Sequence, residues 1–74
     1  WSSDVCSSDL ESIIAKTIAD SHIPPDRMTR KEKMEIVWLL ADQGIPRMKG
    51  AISEIARQLK LSESTVYRYI SQKS

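Results

Sequence analysis

Two short amphipathic segments lie close together in the last third of the chain. Their apolar positions are Ile52, Ile55, Ala56 and Leu59 in the first segment and Val66, Tyr69 and Ile70 in the second. Each set recurs at intervals of three and four residues, which places it on one side of a helix. Lys60, Leu61 and Ser62 separate the two segments, and Ser62 is a good N-cap residue. The sequence therefore predicts two amphipathic helices joined by a tight turn.

The outward face of the second helix carries polar chemistry. Counted from the Ser62 cap, the positions off its apolar stripe are Glu63, Ser64, Thr65, Tyr67, Arg68 and Ser71. Short hydroxyl side chains let a helix approach the floor of the DNA major groove, and arginine supplies donors to base edges and phosphates. The helix N-terminus adds a partial positive charge beside a phosphate. The pattern indicates a helix-turn-helix that binds nucleic acid.

Close packing of the two helices favours a small residue on the first of them. Ala56 lies on the apolar stripe where the first helix meets the second. Two helices that cross through so short a turn approach closely, so a large side chain at this position would force them apart. We therefore expect Ala56 to be buried in the helix-helix contact.

A third helix is predicted over residues 29–44. Thr29 and Glu32 form a capping box, and Gly44 stands where a left-handed residue ends a helix. Pro46 prevents continuation and makes residues 46–50 a link to the next helix. The apolar face comprises Met34, Ile36, Val37, Trp38, Leu40 and Ala41. Trp38 lies on this stripe and is predicted to be a core residue.

A short helix is predicted before it, over residues 11–21. Ile13, Ile14 and Ile18 form its stripe, and the pair Pro24 and Pro25 follows its end. The stripe leaves three interpretations open. The helix packs on the rest of the domain, connects it to a preceding part of a longer protein, or pairs two subunits.

The balance of charge differs along the chain. The whole sequence has 11 basic and 10 acidic residues, a formal net charge of +1. Residues 44–74 hold six basic residues against two acidic ones, a net charge of +4. This half would attract a polyanion, although a solvated basic surface gives the same composition.

Other functional classes find little support. One cysteine and one histidine exclude an internal disulfide and a cysteine-rich zinc site. Two glycines do not make a phosphate-binding loop, and no combination of nucleophile and base indicates an enzyme. No apolar run has the length of a membrane span, and the start lacks the pattern of a signal peptide. We expect a cytoplasmic, non-enzymatic protein without cofactor or metal.

The first ten residues, WSSDVCSSDL, are most simply interpreted as not belonging to the native protein. They can be back-translated into a sequence that resembles a commonly used sequencing-library adapter read in frame. We therefore expect residues 1–10 to be an artefact without ordered structure, and the native sequence to continue upstream of Glu11. A flexible serine-rich tail predicts the same disorder.

A family resemblance covers roughly residues 28–71. The segments 44–56 (GIPRMKGAISEIA) and 65–70 (TVYRYI), with Leu59 and Ser62, resemble the C-terminal DNA-binding domain of YheO-like transcriptional regulators. That family has a PAS-like sensor domain ahead of its helix-turn-helix, and some members resemble repressors of D-amino-acid use. The resemblance implies that the upstream partner of this domain is the sensor. Pro46 stands where an aromatic residue is expected, and Lys60 occupies a turn position often held by glycine.

Two alternatives stay open. Residues 55–57 and 65–69 also resemble the DNA-binding tail of serine-type resolvases and invertases, although the link ahead of the second helix is shorter there. A helical protein-interaction module without a DNA role is the third interpretation. It would be favoured if Lys49, Arg68 and Lys73 proved dispensable.

The sequence thus predicts an all-α protein, a small three-helix helix-turn-helix domain over residues 28–74 preceded by a short helix and linker over residues 11–27. The predicted recognition helix is 62–71, and its partner is double-stranded DNA, bound by two copies of the protein on a two-fold site. The candidate DNA-binding residues are Lys49, Arg57, Lys60, Ser62, Ser64, Thr65, Tyr67, Arg68 and Ser71. Arg30 and Lys31 are further candidates for phosphate contacts, or simply solvated residues of a first helical turn.

Overall fold

The computed structural model describes residues 9–73. Within them lie four α-helices, α1 (Asp9–Asp20), α2 (Arg30–Asp42), α3 (Ala51–Leu59) and α4 (Glu63–Lys73), with a short 3-10 helix, Ile45–Arg47, between α2 and α3. No strand is present in this part of the chain. The all-α class and the small helix-turn-helix architecture predicted from the sequence are confirmed.

Helix α2 begins and ends as its sequence dictates. The Glu32 main-chain N–H donates to Thr29 Oγ1 at 3.3 Å, and the Thr29 main-chain N–H donates to Glu32 Oε1 at 3.0 Å. This reciprocal capping box satisfies two N–H groups that a helix start leaves open. Gly44 adopts the left-handed conformation at φ 84° just after the helix, as predicted. Pro46 then lies in the 3-10 helix that redirects the chain toward α3.

Helices α2, α3 and α4 pack around one apolar core. The predicted stripes supply its buried members, including Ile36, Val37, Leu40, Ile52, Ile55, Leu59, Val66 and Tyr69. Ala56 is buried, as expected for the small residue between α3 and α4. Ile70 and Leu61 pack against the edge of this core. The apolar spacing therefore identified the faces by which the three helices hold one another.

Trp38 differs from its predicted place in the core. Its side chain is only partly buried, and its indole N–H donates to the main-chain carbonyl of Tyr69 at 2.8 Å. An indole ring carries a donor that must keep a partner when water is removed, so the edge of a core suits it better than the centre. Trp38 thereby ties α2 to α4.

Helix α1 belongs to the same core. Ile14 is 0% exposed and Ile18 is buried beside it, and α1 contacts both α3 and α2. The Gln58 side-chain amide also donates to the main-chain carbonyl of Glu11 at 3.2 Å. Of the three interpretations of this helix, the structure therefore favours packing on the rest of the domain.

The helix also begins earlier than expected. It starts at Asp9 rather than Glu11, and Leu10 packs against the core, so these two residues are not disordered. These two residues extend α1 at its start, and Leu10 adds an apolar contact that was not predicted from the sequence. The expectation for residues 1–8 lies outside the described part of the chain.

In the turn between α3 and α4, a residue other than glycine adopts the left-handed conformation. Lys60 has φ 59° and ψ 43°. The Leu61 main-chain N–H donates to the Ala56 carbonyl at 2.8 Å, and the Lys60 main-chain N–H to the Arg57 carbonyl at 3.3 Å. This pair of bonds is the Schellman pattern, which satisfies the last carbonyls of α3 and offsets the cost of a side chain in this conformation.

Candidate nucleic-acid interface

Helix α4 packs on its neighbours through its apolar face. Val66 is 0% exposed and Tyr69 is 6% exposed, and α4 contacts both α2 and α3 along this side. Its outward side carries residues of the predicted interface. A solvated Val66 or a buried Arg68 would have contradicted the sequence interpretation, and neither is found.

The outward residues of α4 differ in exposure and in the contacts that the structure gives them. Ser64, Tyr67, Arg68 and Ser71 are exposed, with Tyr67 at 60% the most accessible large apolar side chain of this helix. A single exposed aromatic ring is ordinary on a protein surface, so the neighbours of Tyr67 on this face matter more than its exposure. The arrangement presents a hydroxyl, an aromatic ring and a guanidinium group on one rigid helix.

Ser62 and Thr65 are engaged with each other at the start of α4. The Thr65 main-chain N–H donates to Ser62 Oγ at 3.3 Å, and the two hydroxyl oxygens lie 2.8 Å apart. Ser62 thus acts as the N-cap that was predicted. Because one hydroxyl already donates to the other, the pair has less hydrogen-bonding capacity left for DNA than Ser64 has.

The three basic candidates outside α4 are all exposed and lie on separate elements. Lys49 precedes α3, Arg57 lies on α3, and Lys60 lies in the turn before α4. Of the three, Lys60 has a charged partner, since its Nζ lies 3.0 Å from Asp26 Oδ1. The loop after α1 therefore reaches the turn of the helix-turn-helix.

A polar groove lies between the start of α2 and the outward edge of α4. Its lining residues are Arg30, Met34, Thr65, Arg68, Tyr69 and Gln72. The groove brings Arg30, a secondary candidate from the sequence, beside two primary ones, Thr65 and Arg68. Gln72 was missed, although helical spacing of four residues from Arg68 could have indicated it. Asp26 was also missed, because nothing in its local sequence points to Lys60.

The comparisons with known proteins agree with this geometry. A family model described as an HTH domain matches residues 9–71, which is most of the chain. The protein belongs to this helix-turn-helix domain family, and DNA is the partner that such a fold indicates. The match includes α1, as the shared core does. No curated protein and no solved structure matches the chain.

Residues 9–73 contain no group of three or more histidine, cysteine, aspartate or glutamate side chains arranged to hold a metal ion. None of the helices described is long and apolar enough to cross a membrane.

Proposed function

We propose that this chain is the DNA-binding part of a ligand-responsive transcriptional regulator, with α4 entering the major groove. The observation that carries the proposal is the division of α4 into a face that is buried against α2 and α3 and an outward face of hydroxyl, aromatic and guanidinium groups. A helix held in this way presents its outward groups with little freedom, and that favours recognition. The proposal assigns the chain no catalytic role.

The roles of the outward residues follow from their chemistry. Ser64 and Arg68 face base edges, because arginine pairs with the two acceptors of guanine and serine accepts or donates to any base. Thr65 and Tyr67 contact phosphates or thymine methyl groups. Ser62 and Ser71 flank them at the two ends of the interface.

The basic residues neutralise the backbone of the DNA. Lys49, Arg57 and Lys60 stand outside α4 on three neighbouring elements, all exposed. Contacts of this kind fix the register of a protein on the duplex without reading sequence. Their counterion release makes binding weaken as salt rises.

The regulatory context is part of the proposal and rests on the resemblance to YheO-like regulators. It includes a PAS-like sensor domain upstream, a cytoplasmic location and two copies on a two-fold site, since a single module of this size buries too little surface for tight binding. The genomic sequence that encodes the region ahead of this domain tests this context. A PAS-like reading frame supports the regulator, and a serine-recombinase catalytic domain supports the recombinase instead.

Replacement of Arg68 tests the binding mode. Binding sites are first selected from a library of random duplexes with the 74-residue chain. Arg68→Ala should then weaken binding to the selected site by about 1–3 kcal/mol and relax the preference at one base pair, because one bidentate contact to guanine is lost. The measurement is fluorescence anisotropy on the selected site and on a scrambled duplex.

Lys16→Ala is the matched control, since it removes one positive charge from the exposed face of α1. It should change binding little on either duplex. Equal losses on both duplexes for Arg68→Ala would assign Arg68 to the phosphate backbone instead of a base. No binding of the unaltered chain to any duplex at low salt would refute the function itself.

A further inference from the structure

The ion pair between Lys60 and Asp26 joins two parts of the molecule that are distant in sequence. Lys60 Nζ lies 3.0 Å from Asp26 Oδ1, and the two side chains are 63% and 72% exposed. A pair this exposed contributes little to stability, because water and salt screen it and two flexible side chains are ordered. Stabilisation of the fold therefore gives a poor account of its presence.

Both partners are presented by well-held backbone. Lys60 sits in the Schellman turn that closes α3. On the other side, the Arg27 main-chain N–H donates to the Pro24 carbonyl at 2.9 Å and that of Met28 to the Pro25 carbonyl at 3.3 Å. Met28 is buried in the core next to this turn. The carboxylate of Asp26 is thus offered to the turn of the helix-turn-helix by a folded loop.

The pair conflicts with the role that Lys60 has in the proposed function. An ammonium group that neutralises a DNA phosphate releases a counterion, but one already paired with a carboxylate contributes less to that release. The ammonium group of Lys60 can therefore pair either with the Asp26 carboxylate or with a DNA phosphate.

We propose that Asp26 is an internal competitor of DNA phosphate for Lys60, and that it lowers the affinity of this domain for DNA of any sequence. The inference rests on the proposed function. A contact of this kind acts on backbone binding and leaves base reading untouched, so it lowers specific and non-specific affinity alike and leaves their ratio nearly unchanged. Asp26 is a modulating residue in this account and makes no DNA contact of its own.

The test compares Asp26→Asn with Asp20→Asn in the 74-residue chain. Both variants remove one negative charge at an exposed position, but Asp20 lies in the groove between α1 and α2. The probe is a labelled mixed-sequence duplex of about 20 base pairs, titrated at about 50 and about 200 mM salt. Circular dichroism melting checks that each variant is folded.

Asp26→Asn should bind the duplex about two- to fivefold more tightly than the unaltered chain at the lower salt, a gain of the size that an exposed ion pair allows. Its plot of log K against log salt should steepen by up to about 0.9, the contribution of one phosphate contact. Asp20→Asn should gain less. With Lys60→Gln in the background, Asp26→Asn should gain no more than Asp20→Asn does, since the contested ammonium is gone.

Three results would overturn the inference while leaving the proposed function intact. Asp26→Asn and Asp20→Asn gain equally, or the extra gain persists in the Lys60→Gln background, or Asp26→Asn binds more weakly because the carboxylate had oriented Lys60 toward the phosphate. If the unaltered chain binds no duplex at low salt, the proposed function fails, and the inference fails with it.

Discussion

Helices α1 and α4 each bury an apolar stripe against α2 and α3, and they differ in what they present outward. The exposed residues of α1 that the structure describes are Glu11, Ser12, Ala15, Lys16, Ala19 and Asp20. Those of α4 include Ser64, Tyr67, Arg68 and Lys73, with one acidic residue, Glu63, in its first turn. The first set has mixed charge and small side chains, and the second combines hydroxyl, aromatic and basic groups.

The comparison separates two kinds of information in one amphipathic pattern. The buried stripe decides where a helix packs, and it is similar in α1 and α4. The outward chemistry decides what the helix can bind, and it favours a polyanion for α4 only. A helix can therefore be essential to the fold of this domain without taking part in the interface.

Truncation of Ile14 in α1 should have the largest effect on stability. Ile14 is 0% exposed, so Ile14→Ala should lower the free energy of unfolding by about 2–5 kcal/mol through lost burial and a cavity. Urea denaturation followed by circular dichroism measures the change, with Lys16→Ala as the exposed control. A loss near zero would mean that α1 is a detachable connector after all.

Enlargement of Ala56 should have the next largest effect. Ala56 is buried in the shared core, so Ala56→Leu should destabilise the domain by about 1–3 kcal/mol and reduce its helical circular dichroism signal. Ala15→Leu makes the same change on the exposed face of α1 and should be nearly neutral. Tolerance of leucine at residue 56 would show that the core around it is not packed as closely as described.

Replacement of Trp38 should have the smallest effect of the three. Trp38→Phe removes the 2.8 Å hydrogen bond to the Tyr69 carbonyl and should lower the free energy of unfolding by about 1 kcal/mol. The expected change in DNA affinity is a modest loss, since α4 keeps its apolar contacts. Urea denaturation and the anisotropy assay measure the two effects. Unchanged stability would mean that the hydrogen bond does not help to position α4.

Much of the fold was predictable because apolar spacing and caps are local. The stripes of α2, α3 and α4, the Thr29 capping box and the left-handed Gly44 follow from residues a few positions apart. An apolar stripe does not show which surface of the protein it packs on. For this reason the sequence left the docking of α1 open and assigned Trp38 to the core, where the structure has it at an edge bonded to Tyr69.

Other features arise from contacts between residues distant in sequence, or from left-handed backbone at residues other than glycine. His22, at φ 62°, and Lys60 adopt left-handed conformations that residue type alone does not predict. At Lys60, the hydrogen bonds of the Schellman turn compensate for the cost of the left-handed conformation. The pair of Asp26 and Lys60 and the groove that joins Arg30 to Arg68 depend on the packed arrangement of the elements that carry them. The outward residues of α4 could be predicted from the sequence, but the residues of other elements that lie beside them could not.

The most direct test of this account is a map of the DNA contact on the protein. Backbone amide signals of the 74-residue chain are followed by NMR during titration with a selected duplex. We predict that the largest shifts fall on residues 62–71 and the turn before them, while amides of α1 at residues 9–20 change little. Shifts that are concentrated in α1, or absent from α4 when DNA is bound, would contradict the central claim.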